Sequence, residues 1–213
     1  MSEAVIRSVC RSPVAQVARP PEAGDIMLFC GKGWSSDVVR LFTRSQWSHV
    51  GIVLRDPGQP GLLLLEANVR SDVADVRTGR RMQGVSLVSL AEKLDQYEGQ
   101  AMLRRWCGPE SVLCRREKVI AAADDLIHRP YCDFVSSWLR RGMRSVPGGM
   151  FCSELVAEIY RRAGWLPRGF NPARVVPAHF AGERLPLQNV ALARPEACGS
   201  VSADWRRCEQ AFA

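Results

Sequence analysis

Phe151-Cys152-Ser153-Glu154 precedes Leu155, Val156, Ile159 and Ala163, and this spacing predicts a helix with one apolar face. Pro147-Gly148-Gly149 stands just ahead, where no regular element persists, so Cys152 falls in the first turn. A thiol there feels unpaired N–H groups and the positive end of the helix dipole, which favour thiolate over thiol. The same N–H groups can hold an oxyanion forming beside the attacking sulfur. A nucleophile of this kind needs a base. The candidate is His49, in Trp47-Ser48-His49-Val50-Gly51-Ile52-Val53-Leu54. Val50, Ile52 and Leu54 alternate as a strand with one buried face, so His49 points to the opposite side, which it shares with Gly51. A glycine two residues along predicts open space beside the imidazole. The next apolar run, Leu62-Leu63-Leu64-Leu65, ends on Glu66, a carboxylate able to accept an imidazole N–H and fix its tautomer. Histidine, carboxylate and cysteine follow one another along the chain, and together they would suit acyl transfer through a thiol ester.

Gly24-Asp25-Ile26 before a strand, Ser48-His49-Val50-Gly51-Ile52, Leu65-Glu66-Ala67 and Phe151-Cys152-Ser153-Glu154-Leu155-Val156 occur in an order with a known parallel. The chain resembles the circularly permuted papain-like hydrolases, the YiiX-type branch of the NlpC superfamily, to which the lecithin–retinol acyltransferase group is related. In that group the histidine strand precedes the cysteine helix, the reverse of ordinary papain-like enzymes. The resemblance runs from about Gly24 to about Pro177. It implies Cys152 as nucleophile, His49 as base and Glu66 as the third polar residue, a position whose residue type varies in the group. It also implies an amide, ester or thioester carbonyl as the target, on peptide-like substrates, cell-wall peptides among them, or on acylated lipids.

Each of these residues has a plainer reading. Cysteine is often a buried core residue, and this chain has eight. A strand histidine can be purely structural, and Glu66 can be a strand-end residue reaching solvent. His128 closes a long helical segment, where its charge would suit the dipole. His179 follows Pro177 and reads as structural or exposed. His128-x-x-x-Cys132 has helical ligand spacing, but Pro130 interrupts it and no second pair is evident, so no metal is expected. Gly31-Lys32-Gly33 lacks the spacing and Lys-Ser/Thr ending of a phosphate loop, and no cofactor is expected.

The elements that must position these groups fit one domain, and 213 residues are enough to bury a sizeable core. Residues 1–23 read as a loose N-terminal extension, 24–184 as the catalytic domain and 185–213 as a tail. Strands are expected over 26–30, through the His49 segment and through the Leu-rich run, the last two as a hairpin around Asp56-Pro57-Gly58. A helix is expected over 35–42, capped by Ser35, Ser36 or Asp37. Residues 68–84 read as a loop or irregular strand, Val85 to Leu90 as a strand or strand end, 89–97 as a short helix and 101–106 as a strand. A long helix follows over 109–128, then a helical stretch rich in aromatics over 131–146, then the Cys152 helix, ending at Gly164. The expected architecture is α+β, a permuted papain-like fold in which a small antiparallel sheet packs against the cysteine helix.

Net charge is +7, from 29 basic and 22 acidic residues, with many arginines in pairs such as Arg80-Arg81, Arg140-Arg141 and Arg206-Arg207. Scattered pairs read first as solvated faces; peripheral contact with an anionic membrane is the minor reading. Nucleic acid is not expected, since aromatic and basic residues are not interleaved. The N-terminus has no basic-then-apolar signal and no apolar stretch is long enough to cross a bilayer, which predicts a cytoplasmic protein unless it is exported or injected by another route. The cysteines show no disulfide framework. The expected function is a thiol hydrolase using Cys152, His49 and Glu66. A lipid acyltransferase with the same nucleophile, with Trp34, Trp47, Phe134 and Trp138 suited to an acyl chain or simply to a core, is the nearest alternative. A catalytically silent binding domain is the other.

Overall fold

The computed structural model describes residues 21–30, 45–108, 111–132, 147–182, 185 and 187–190. The helix expected over 35–42 and nearly all of the aromatic stretch 131–146 lie outside the described residues, as do Trp34, Phe134 and Trp138.

The protein is α+β. Six strands form an antiparallel sheet: β1 (Ile26–Cys30), β2 (His49–Leu54), β3 (Leu63–Asn68), β4 (Gly84–Ser89), β5 (Gln100–Trp106) and β6 (Leu187–Val190), in the order β4-β3-β2-β1-β5-β6. The helices are α1 (Leu90–Gln96), α2 (Val112–Ala123), α3 (Cys152–Arg162) and the short α4 (Pro177–Ala181). Residues alternate between the two sides of a strand, and both sides are covered here. Ile26, Leu28, Val50, Ile52 and Leu65 pack with Leu155, Val156 and Ile159 of α3. Met27, Phe29, Val53, Leu64 and Val88 pack with Leu90 and Leu94 of α1. Burial on both faces explains why β3 reads as an unbroken leucine run rather than an alternation.

The expected hairpin is present, with β2 paired antiparallel to β3. Residues 69–83 are irregular, and buried Asp75 organises them by accepting from the backbone N–H groups of Arg77, Thr78 and Leu87. Helix α3 ends as its sequence predicts. Gly164 adopts φ +78°, and Trp165 and Gly164 donate to the carbonyls of Tyr160 (2.8 Å) and Arg161 (3.1 Å), a Schellman closure.

Asp25, part of the Gly24-Asp25-Ile26 motif, joins β1 to β5. Its carboxylate is fully buried and accepts from the backbone N–H groups of Trp106 (3.1 Å) and Glu22 (3.0 Å) and from Arg105 Nε (3.2 Å). Tyr160 of α3 donates to the Gly24 carbonyl at 2.7 Å, so the helix that carries Cys152 is pinned to the start of β1.

Two segments differ from expectation. The stretch read as a C-terminal tail contains β6, whose backbone pairs with β5. Arg104 ties it down further, donating to the Gly182 and Leu187 carbonyls. The long helix over 109–128 begins at Val112 behind a Ser111 cap and gives way to a 3-10 turn, Asp124–Leu126. His128 therefore lies beyond the helix rather than at its end. It adopts φ +66°, donates its N–H to Val85 O and faces Asp75 at 3.4 Å, a structural tie to β4 and the loop before it. Among the described residues no helix is long and apolar enough to cross a membrane.

Candidate active site

His49 is the first residue of β2 and Cys152 the first of α3, so the two meet where both elements begin. Ser48 anchors the approach to β2 by donating its N–H to Phe29 O at 3.0 Å. The register pairs Ile52 with Leu65 and Val53 with Leu64; continued by one step, it sets Glu66 opposite Gly51 and diagonal to His49 on the same face. Because Gly51 has no side chain, the carboxylate can lean past it. His49 Nε2 and Glu66 Oε2 are 2.9 Å apart.

The space beside Gly51 is not open, contrary to the sequence expectation. A Cβ there would stand 2.8 Å from Leu64 Cδ1 and 3.1 Å from the Leu65 carbonyl oxygen. Leu64 is fully buried. Gly51→Ala should therefore destabilise the fold by about 1–3 kcal/mol through overpacking. A urea midpoint unchanged from wild type would refute this packing account.

Cys152 is buried, with 9% exposure, and its helix starts at Phe151 without a side-chain cap. Phe151 thus supplies no side-chain oxygen of the kind that usually fills this position. Since His49 Nε2 is committed to Glu66, Nδ1 is the ring nitrogen left for the hydrogen bond between His49 and Cys152. Burial opposes charge on the imidazole. The Cys152 charge, the bond to its sulfur, and the bond and charge of Glu66 outweigh burial and hold His49 up at about 9. Burial likewise works against the Glu66 carboxylate, but the Lys93 ammonium first, then His49, bring it down to about 2.

All three residues singled out in the sequence are thus joined in one hydrogen-bonded line, Cys152 to His49 to Glu66. His128 and His179 are not part of it. His179 lies in α4, where its Nδ1 accepts from the Val176 N–H at 3.2 Å. Trp47 belongs to the buried cluster on the α3 side of the sheet.

Sequence reading missed Lys93, which reaches Glu66 Oε1 at 2.9 Å from α1. One signal was available, since Lys93 sits three residues after Leu90 and so shares the inward side of its helix. It also missed Phe29, whose ring centre lies 5.7 Å from the His49 ring and 5.8 Å from Lys93 Nζ.

No protein-family model matches the chain, and no curated protein sequence matches it. Among solved structures, the chain is similar to the crystal structure of metalloprotein YiiX from Escherichia coli O157:H7, DUF1105. The two share 21% sequence identity with a TM-score of 0.54, over 82% of this chain and 99% of that one. At this level the likeness concerns the fold. The word metalloprotein raises the question of a metal here, and the residues do not fit one. Among the described residues no three His, Cys, Asp or Glu side chains are grouped as ligands. Both Glu66 oxygens are already engaged, one by an ammonium that would repel a cation. The chain has a YiiX-like α+β fold with a Cys152–His49–Glu66 line at the start of its cysteine helix.

Proposed function

We propose that this chain is a cysteine-dependent hydrolase of the permuted papain-like type, acting on an amide or on an ester or thioester carbonyl. The observation that carries the reading is the line from Cys152 through His49 to Glu66, in which the sulfur and the carboxylate both favour a charged imidazole. In the first step His49 Nδ1 accepts the proton of Cys152 Sγ, and sulfur bonds to the substrate carbonyl carbon. The carbonyl oxygen becomes an oxyanion, and the Cys152 N–H at the start of α3 is the donor at that end of the helix. As the tetrahedral species collapses, the bond to the leaving group breaks and His49 returns the proton to it. Water, giving a proton to His49, then attacks the thioester; the C–S bond breaks and the acid product leaves. Glu66 holds the imidazole by Nε2 throughout, so that Nδ1 faces sulfur. Peptide-like amides and acylated lipids are the substrate classes to screen.

The test is iodoacetamide alkylation across pH, with peptide mass mapping, in the wild type and His49→Ala. Cys152 should react at pH 6 at least about tenfold faster than the other cysteines, and lose that advantage without His49. Reaction no faster than the others would overturn the hydrolase reading in favour of a silent binding domain.

A further inference from the structure

Lys93 is an unusual residue to find inside this domain. An ammonium in the protein interior is unfavourable unless paired and hydrogen-bonded. The Lys93 side chain is 5% exposed and the Glu66 carboxylate fully buried, with 2.9 Å between Nζ and Oε1. Glu66 is thus shared between two partners, one per oxygen: His49 on Oε2 and Lys93 on Oε1. Phe29 lies against both cationic groups, its ring centre 5.8 Å from Nζ and 5.7 Å from the imidazole.

We infer that Lys93 is a positioning residue for this site, whose ammonium keeps the Glu66 carboxylate ionised and turned toward His49 when His49 itself carries no positive charge. The inference rests on the hydrolase reading for its purpose. In that cycle His49 is protonated after it takes the thiol proton, and neutral again once it has passed the proton to the leaving group. In the neutral half, a fully buried Glu66 without Lys93 would have no cation beside it and would favour taking up a proton. A protonated Glu66 can donate to Nε2, which leaves Nδ1 as the protonated nitrogen and unable to accept from the next water. With Lys93 present the proton stays on the path between sulfur, imidazole, leaving group and water, and neither Glu66 nor Lys93 gains or loses one.

The surroundings of Glu66 leave this task to Lys93. From β2 it faces His49; from β4, directly across the strand pair, it faces Ser86, whose buried hydroxyl has no hydrogen-bond partner among the described residues. Cys152 of α3 reaches Glu66 through His49. Asp72, in the loop after β3, lies 3.9 Å from Lys93 Nζ but is 72% exposed, so solvent screens it. Among the described residues Lys93 is therefore the lysine or arginine paired with the carboxylate, and its charge is the largest of the influences that lower the Glu66 pKa.

The experiment is a carbon-13 NMR titration of the side-chain carboxylates in the full chain, with the Glu66 signal assigned by its loss in Glu66→Gln. In the wild type and in Lys93→Arg, Glu66 should not titrate between pH 4 and pH 8. In Lys93→Met it should titrate inside that window, a rise of about two pH units or more, and the acid limb of Cys152 alkylation should move up with it. A Glu66 signal as flat in Lys93→Met as in the wild type overturns the inference. Should Lys93→Met fail to fold, Lys93→Gln removes the charge while keeping a donor for Oε1, and the same two outcomes decide. A wild-type Cys152 no more reactive than the other thiols would sink the hydrolase reading by itself. A flat Glu66 would sink only the role given to Lys93.

Discussion

Cys152→Ala is expected to lower hydrolysis of a p-nitrophenyl acyl ester by on the order of 10⁴-fold or more, with the domain still folded. All covalent chemistry in the proposed cycle passes through Sγ, and no other group in the line can take its place. His49 and Glu66 would still orient a water, but without a thiolate the first bond-forming step has no nucleophile and no thioester forms for water to attack. Structurally, alanine removes one sulfur from the first turn of α3. The contacts that seat the helix, Tyr160 to Gly24 and the apolar face on β2 and β3, are untouched. The variant also has a spectroscopic signature. The charge on Cys152 is the largest influence raising His49, so its loss leaves burial, which lowers the imidazole, against Glu66 alone. The His49 titration should then fall from about 9. The chain has three histidines, which makes that signal simple to assign. Retained ester turnover in Cys152→Ala would exclude Cys152 as the nucleophile. An unmoved His49 titration would mean that sulfur and imidazole are not coupled as the geometry shows.

The second large effect is on stability. Glu66→Ala leaves the Lys93 ammonium buried without its carboxylate and His49 without the acceptor for Nε2. Breaking a buried pair from one side costs about 3–5 kcal/mol, a large share of the roughly 5–15 kcal/mol that holds an ordinary domain together. Lys93→Met combined with Glu66→Ala should recover much of the loss, because the uncompensated charge is then gone. A urea midpoint for Glu66→Ala within about 1 kcal/mol of wild type would show that the pair is not buried as described.

The same groups set a pH profile. Glu66 is depressed from its ordinary 4.5 to about 2, so its contribution to stability is complete above pH 4.5 and is lost as pH falls through 2. His49 is raised from 6.5 to about 9, so its contribution is complete below pH 6.5 and is lost as pH rises through 9. From these two groups stability should plateau between pH 4.5 and 6.5 and decline on both sides. Glu66→Ala should remove its part of the acid limb and shrink the alkaline one, since Cys152 alone would then support the charged imidazole. Thermal melts across pH read both limbs directly.

Several features of this protein are set by residues a few positions apart and are legible in the chain. Leu155, Val156 and Ile159 make α3 amphipathic, Pro147-Gly148-Gly149 prevents it from starting earlier, and Gly164 ends it. Those facts alone put Cys152 in a first turn. Alternation at Val50, Ile52 and Leu54 sends His49 to the other face, and the short connection to the leucine run makes a hairpin that carries Glu66 near it. Local sterics and burial periodicity carry this information, and neither needs knowledge of distant partners. What meets across the fold depends on register and packing, which no local window contains. Leu64 fills the space beside Gly51 because the β2–β3 register sets it diagonally across from that residue. His128 misses the end of α2 because a 3-10 turn intervenes and Asp75 captures it. Residues 187–190 become a strand because β5 offers an edge for them to pair with. Lys93 lies 27 residues beyond Glu66 and joins it only because α1 folds back over the sheet. The sequence by itself singled out Cys152, His49 and Glu66; the tertiary structure decided which charge lies behind them, because a buried ion pair is defined by what surrounds it.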